Sequence, residues 1–274
     1  MMNFAQHDLS QKIAACYLAR WENSSSIESF EKFVSSYLNN DAGVTHSFFV
    51  IMKGFTNYTT LNQAREVFQH VRHREIHTDD LNYDIGAYRA AVEEIKNPLI
   101  CFLNTNSEIV GEYWLRKLQL NIELPSVGMV SATGSYESLW QVDNRIPQFP
   151  NIHLRSNAFM LPRDLAIEIL PSKIENKNSA FLVESGPKSI TRQILSMGYT
   201  VRMVGRNGRG YLPAQWPQSD IFRQGQQSNL LVHDNVTRTY ATGSQTEKED
   251  LIKKTWGPYF QSEVTYLLPC HDRI

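Results

Sequence analysis

The sequence has no apolar run approaching the ~20 residues that a membrane-spanning helix needs. Its first residues, "MMNFAQHDLSQK", carry no apolar signal core. It has little net charge: 27 basic against 28 acidic side chains leave −1 at neutral pH, which gives no global attraction to nucleic acid or to an anionic membrane. Three cysteines, Cys16, Cys101 and Cys270, are an odd number at wide spacing, and no zinc-type spacing joins them. Cys16 and Cys101 lie inside apolar runs and read as small buried residues. A cytoplasmic protein is the expectation. Three nucleotide or nucleophile motifs are also missing. No Gly-x-Gly-x-x-Gly follows the first apolar run, no Gly-x-x-x-x-Gly-Lys-Ser/Thr loop occurs, and no Gly-x-Ser-x-Gly elbow occurs. A dinucleotide fold is thereby disfavoured, a P-loop is excluded, and the simplest hydrolase reading falls away.

What is present is an alternation. The 274 residues, 42% of them apolar, are enough for one large α/β domain or two smaller ones. Strands are expected at 12–19, 46–54, 74–78 and 98–104, with extended chain at 127–134 and 199–205. Between them, residues 24–40 place Ile27, Phe30, Phe33, Val34, Tyr37 and Leu38 on one helical face. Ser25 with Glu28, and Thr60 with Gln63, have capping-box spacing. Helices are expected at 59–71, 85–95, 111–122 and 184–198, the last with Pro187 near its start and Gly198 at its stop. Residues 147–170 mix a strand-like "IHLRSNAFML" with a helix, and 206–229, rich in Gly, Gln and Pro, have no clean period and read as a long loop region. Strands alternating with helices predict a mainly parallel sheet covered on both faces, whose ligands bind at the carboxyl ends of the strands.

The best strand, "PLICFLN", empties at once into Asn104-Thr105-Asn106-Ser107-Glu108. At the carboxyl edge of such a sheet these polar groups can stay solvated or meet a ligand. The alternative is that Asn104, Asn106 and Glu108 merely cap the next helix.

Three stretches in this order, "NYDIGAY" (82–88), "CFLNTNSEI" (101–109) and "VGMVSATGS" (127–135), resemble the nucleotide-diphospho-sugar glycosyltransferases of the GT-A fold. The family 2-like and rhamnan-synthesis-like bacterial enzymes are the nearest type. The likeness covers roughly residues 10–205. It implies a single α/β domain of GT-A type, with a central mostly parallel, mixed sheet flanked by helices. Residues 1–205 would form the nucleotide-sugar-binding core, and 206–274 a loop-rich extension on the acceptor side. It implies transfer of a sugar to a glycan or lipid-linked acceptor in bacterial polysaccharide synthesis. The partners would be a nucleotide-sugar and a carbohydrate acceptor, with no nucleic acid.

The resemblance also distributes roles. Asp84, Asn104, Asn106 and Arg155 are expected at the donor. Thr133, Ser135, His153, Asn157 and Trp216 are expected at the acceptor, with Tyr211 and Phe222 as further rings for stacking. "HLRSNAFMLPRD" (153–164) and "VESG" (183–186) fall where acceptor contacts and the catalytic carboxylate belong, which makes Glu184 the candidate base. It would sit at a junction between a strand-like "AFLV" and a following helix. Bland readings stand beside these. Asp84 would serve as a helix N-cap, Thr133 to Ser135 as a turn, His153 as a structural histidine, and Glu184 as a carboxylate favoured by a helix dipole.

One departure matters. The family's Asp-x-Asp, which holds Mn²⁺ or Mg²⁺ through hard carboxylate oxygens, reads Asn104-Thr105-Asn106 here. A metal would need Asn106 helped by Glu108 and a late histidine, His233. The alternatives are metal-independent transfer, with Arg155, Arg206 or Arg209 neutralising the leaving diphosphate, or a non-catalytic nucleotide- or glycan-binding protein. A nucleotidyltransferase would need paired acids, and no clear pair is offered.

Overall fold

The computed structural model describes residues 11–260. Most of the N-terminal segment "MMNFAQHDLSQK", Cys270 and the end of the 206–274 extension lie outside the described residues. The elements run β1 (Ile13–Arg20), α1 (Ser25–Asn39), β2 (Ser47–Lys53), α2 (Tyr58–Phe68), β3 (Arg74–Thr78), α3 (Tyr83–Glu94), β4 (Leu99–Leu103), β5 (Glu108–Ile109), α4 (Trp114–Ile122) and β6 (Val127–Ser131). They continue with β7 (Gly134–Ser135), β8 (His153–Leu154), β9 (Ala158–Pro162), α5 (Arg163–Ile169), α6 (Lys177–Ser185), α7 (Ile190–Ser196), β10 (Thr200–Val204) and β11 (Gly210–Tyr211). A 3-10 turn at Pro213–Gln218, then β12 (Val232–His233), α8 (Asn235–Thr242), α9 (Gln245–Trp256) and a last 3-10 turn at Gly257–Tyr259, complete the series.

Eight strands form one sheet in the order β11-β10-β6-β9-β4-β1-β2-β3. β3, β2, β1 and β4 are mutually parallel, as are β6 and β10, while β9 is antiparallel to both β4 and β6. This is the expected α/β class. Its parallel strands read as continuous apolar runs because both faces are covered. β1 shows why: Ala14, Cys16 and Leu18 point into one core, and Ile13, Ala15, Tyr17 and Ala19 into the other. On the first face lie α3, α5 and α7, through residues such as Tyr88, Ala166 and Ile194. On the second lie α1, α2 and α4, through Phe30, Phe68 and Trp114. Cys16 and Cys101 are buried free thiols within these layers.

The helix starts differ in detail from the capping-box spacing. α1 has Ser24 at its N-cap with no side-chain cap, and the N–H groups of Glu22 and Asn23 donate instead to Ser26 Oγ. α2 is capped by Asn57, which accepts from the Thr60 N–H. The expected helix over 184–198 is two helices, α6 ending at Ser185 with Gly186 as its C-cap and α7 starting after Ser189. Gly198, at φ +85°, follows α7 in the left-handed conformation that suits a helix stop. The 206–229 region is built rather than irregular: β11 joins the sheet edge, and Trp216 and Phe222 enter the same core as Trp256.

Candidate functional site

The sheet has a switch point. From β1 the chain winds outward through β2 and β3, then returns to lay β4 on the other side of β1. Crevices at the carboxyl edge near such a point are where open α/β sheets hold ligands. A cleft of about 330 Å³ opens there, walled by Asp84, Asn104, His153, Arg155, Asn157 and Glu184, with Ser135, Glu137, Phe222 and Arg223. Its size is at the lower end for small-molecule sites.

Each wall is placed by local structure. Asp84 enters from the first turn of α3, but it is not the cap: Asn82 holds that position without a side-chain cap bond. Asn82 and Tyr83 are both left-handed, at φ 62° and 53°, and this tight entry swings Asp84 toward the cleft. Asn82 Oδ1 accepts from the Ile174 N–H, tying the entry to the segment before α6. Gly86 is required underneath, because a Cβ there would lie 2.2 Å from Asn82 Cβ. Replacing a mid-helix glycine with alanine ordinarily stabilises. Here Gly86→Ala is expected to destabilise by about 1–3 kcal/mol, as overpacking does, and chemical denaturation will show the inverted sign.

The polar stretch after β4 has a structural account. Asn104 Oδ1 accepts from the Asn106 N–H and from Ser107 Oγ, both at 3.1 Å, closing an Asx-type turn. Asn104 N–H donates to Asn157 O, while Thr105 Oγ1 donates to Leu18 O and Thr105 O accepts from Tyr17. The turn therefore stitches the ends of β1, β4 and β9 together. It does not cap α4, whose N-cap is Tyr113.

His153, Arg155 and Asn157 fall within the strand-like run "IHLRSNAFML". The strand stops at Leu154, and a turn carries Arg155 to Asn157 before β9 begins. All three still line the cleft. Arg155 Nη2 pairs with the fully buried Asp234 at 2.8 Å, and its guanidinium lies 4.6 Å from the Phe222 ring centre. Its Nη1 reaches Thr133 Oγ1 at 3.4 Å, so Thr133 donates onward to Asn157 Oδ1. That orientation leaves the buried Asn157 Nδ2 with no partner among the described residues. His153 Nδ1 lies 2.7 Å from Asn151 O, and burial pushes its pKa down to about 4, so the ring is neutral at pH 7.

Glu184 is on the cleft wall, but not at a strand-to-helix junction. "AFLV" is helical, and Glu184 lies in the last turn of α6. The run is too short to carry a helical period, and the start signal is Asn176, whose side chain accepts from the Ser179 N–H. Ser156 Oγ donates to Glu184 Oε1. Burial raises the Glu184 pKa, opposed by the Ser156 hydrogen bond and Arg155, and reinforced by Asp84. Burial likewise raises that of Asp84, opposed by Arg20 and Lys53.

Other assignments come apart. Trp216 is fully buried, donates through its indole N–H to Tyr211 O, and packs where a Cβ on Gly134 would lie 2.9 Å from its ring. It is a core residue with no face for a sugar. Tyr211 is nearly buried in the same layer. Thr133 is fully buried behind Asn157, whereas Ser135 lines the cleft. Arg206 and Arg209 are not on the cleft wall. Arg206 sits beside Gly111 and Lys117, and Arg209 lies over Tyr211.

Of the three residues expected to hold a metal, Asn106 and Glu108 meet a cation that the chain itself supplies. β5 pairs with β12 so that Glu108 faces His233. Arg238 donates to Glu108 Oε2 and to the Asn106 carbonyl, each at 3.0 Å. His233 Nδ1 is 3.1 Å from Thr237 Oγ1. Among the described residues no group of three or more His, Cys, Asp or Glu could hold a metal ion. With Asn104 Oδ1 taken up by its own turn and Glu108 neutralised by Arg238, this donor set does not fit a divalent cation.

Solved structures with a similar course of chain include three sugar-handling enzymes. The chain is similar to a mannosyltransferase from Pyrobaculum calidifontis, solved with GDP-Man and Mn²⁺, at TM-score 0.49 and 12% identity over 72% of this chain. It spans only 55% of that protein's length. It is similar to mouse xyloside xylosyltransferase 1 at TM-score 0.43 and 11% identity, over 69% of this chain and 82% of that one. It is similar to glucosyl-3-phosphoglycerate synthase from Mycobacterium tuberculosis at TM-score 0.39 and 12% identity, over 57% of this chain and 58% of that one. No protein-family model matches the sequence, and no curated protein sequence matches it.

Sequence reasoning missed two charged residues of the cleft. Glu137 pairs with Arg223 at 2.7 Å and with Lys254 at 2.9 Å. Burial works to raise the Glu137 carboxyl, but these two cations outweigh it and hold it low. Arg223 sits in a left-handed turn inside an aperiodic stretch, and no motif marks it. No helix of the described residues is long and apolar enough to cross a membrane.

Proposed function

We propose that this protein transfers a sugar from a nucleotide-diphospho-sugar to an acceptor hydroxyl, in the manner of the GT-A glycosyltransferases its motifs resemble. The observation that carries the reading is one cleft at the carboxyl edge of the sheet, walled by Asp84, Asn104, Arg155 and Glu184. In this reading Glu184 is the general base that takes the acceptor proton. A carboxylate raised by burial is a stronger base than a solvated one. Arg155 faces the departing diphosphate, and Asp84 contacts the donor. His153, neutral at pH 7, and Asn157, with a free amide N–H, hydrogen-bond sugar hydroxyls. The acceptor is a glycan or a lipid-linked sugar, and the setting is bacterial polysaccharide assembly, as the motif resemblance implies.

No step runs through a metal ion, because the amides and the Arg238-bound carboxylate do not suit one. A thermal-shift panel of UDP-, GDP-, dTDP- and CMP-sugars, followed by calorimetry in Mn²⁺ and in EDTA, tests both statements. We expect at least one nucleotide-sugar to stabilise the protein, with an affinity loss in EDTA of less than about tenfold, roughly 1.4 kcal/mol. A larger loss would restore a metal to the site. Tight binding without turnover or donor hydrolysis would favour the non-catalytic alternative.

A further inference from the structure

The carboxyl ends of β1, β2 and β3 carry a charged cluster that lies outside the cleft wall. Lys53, the last residue of β2, has a side chain with no exposure at all. Lysine is almost never fully buried unless it is satisfied. Here its ammonium donates to Asp79 O at 2.9 Å and to Leu81 O at 2.7 Å, and lies 3.7 Å from the Asp80 carboxylate. The same carboxylate takes Arg20 Nε, at the end of β1, at 3.2 Å. Next to Lys53, Gly54 is left-handed, and a Cβ there would lie 2.8 Å from Trp21 O. One buried cation thus clamps the segment 79–81 by both of its flanking carbonyls. That segment feeds directly into the two left-handed residues that aim Asp84.

We propose that Lys53 is a positioning residue for Asp84, fixing where that carboxylate stands in the cleft and setting the charge it meets there. The proposal rests on the donor-contact reading of Asp84. The geometry is specific to a lysine in two respects. A methionine would fill the same slot but leave the Asp79 and Leu81 carbonyls without the donor that ties them down. It would also remove a cation from beside a carboxylate that burial already disfavours in its charged form. The charged groups that act on Asp84 are Arg20 and Lys53, which favour its ionised form, and Glu22, Asp80 and Glu184, which oppose it. Buried Tyr88 is its other titratable neighbour.

The sign can be measured without any ligand. Carboxyl NMR titration of the protein should show Asp84 ionising at higher pH in Lys53→Met than in the wild type. It should ionise at lower pH in Asp80→Asn, which removes an opposing charge and keeps both cations. Lys53→Met should also bind the nucleotide-sugar identified by the panel more weakly. Its turnover should fall by up to ~10²-fold, the scale of a 1 Å misplacement. If Lys53→Met does not fold, Lys53→Gln, which keeps an N–H donor in the slot but removes the charge, takes its place beside Asp80→Asn, whose carboxylate is about half exposed. An Asp84 titration that moves in neither variant overturns the proposal. An Asp84 titration that shifts as expected, in a protein that no nucleotide-sugar stabilises, overturns instead the donor reading on which its functional half depends.

Discussion

Glu184→Gln is expected to lower turnover by ~10²–10⁴-fold, the usual contribution of a general base, while leaving the protein folded and donor affinity close to wild type. Hydrolysis of the nucleotide-sugar, with water in place of the acceptor, provides an assay before the acceptor is known. The stability side has an opposite sign. Burial raises the Glu184 pKa above its unfolded value, so folding gains from its protonated form at low pH, and that gain is lost as pH rises through the folded pKa. The amide removes this penalty, so Glu184→Gln should be no less stable than the wild type at pH 7. Wild-type turnover should increase as pH rises through the same pKa, because the base acts as carboxylate. Near-normal hydrolysis in a folded Glu184→Gln protein would reassign the residue to its hydrogen bond with Ser156.

Arg155→Met is expected to cost about 3–5 kcal/mol of folding stability, the range seen when one partner of a buried ion pair is removed. Its partner Asp234 is fully buried and also caps α8, accepting from the Thr237 N–H at 2.8 Å. Burial works to raise the Asp234 carboxyl, but Arg155 and the Thr237 hydrogen bonds outweigh it and hold it below its ordinary value. A depressed pKa contributes stability above the unfolded pKa and loses it as pH falls through the folded one. The deficit of Arg155→Met should therefore be full at neutral pH and shrink in acid, where Asp234 can be protonated. Urea titrations at pH 7 and at pH 4 will separate this from simple loss of packing against Phe222, which would not change with pH.

Much of the sheet was legible because its parallel strands are buried on both faces. "IAACYLAR", "SFFVIMK" and "LICFL" are continuous apolar runs, and only a doubly covered strand needs one. α6 was not legible from its apolar residues. "AFLV" alone has no helical period, and it was read as strand. The cleft was partly legible. Asp84, Asn104 and Glu184 came from motif order, and all three stand on one wall system. His153, Arg155 and Asn157 lie in a run that reads as one strand and are held together instead by a turn. Asn106, Glu108 and His233 were offered as metal ligands, but Glu108 and the Asn106 carbonyl are taken by Arg238, and His233 lies against Thr237. Trp216 was misplaced because an aromatic ring in a Gly- and Pro-rich segment gives no sign of its depth. Burial there is decided by Gly134, more than eighty residues away in sequence. Arg223 and Glu137 lay beyond reach for the same reason, since their pairing spans two segments without period or motif.

The reversed strand β9 divides the work of assembly. β4 and β6 are made first and share no hydrogen bonds with one another in the sheet. Each waits for the chain to reach Ala158–Pro162, which pairs Leu103 with Ala158 on one side and Val130 with Met160 on the other. The βαβ units of β1 to β4 are encoded locally, whereas the joint between the two halves of the sheet is a late, non-local closure of the kind that slows folding. The turn from Arg155 to Asn157 enters β9 directly. The cleft therefore depends on the event that joins the half-sheets, and a chain that has not yet inserted β9 has neither a continuous sheet nor a site.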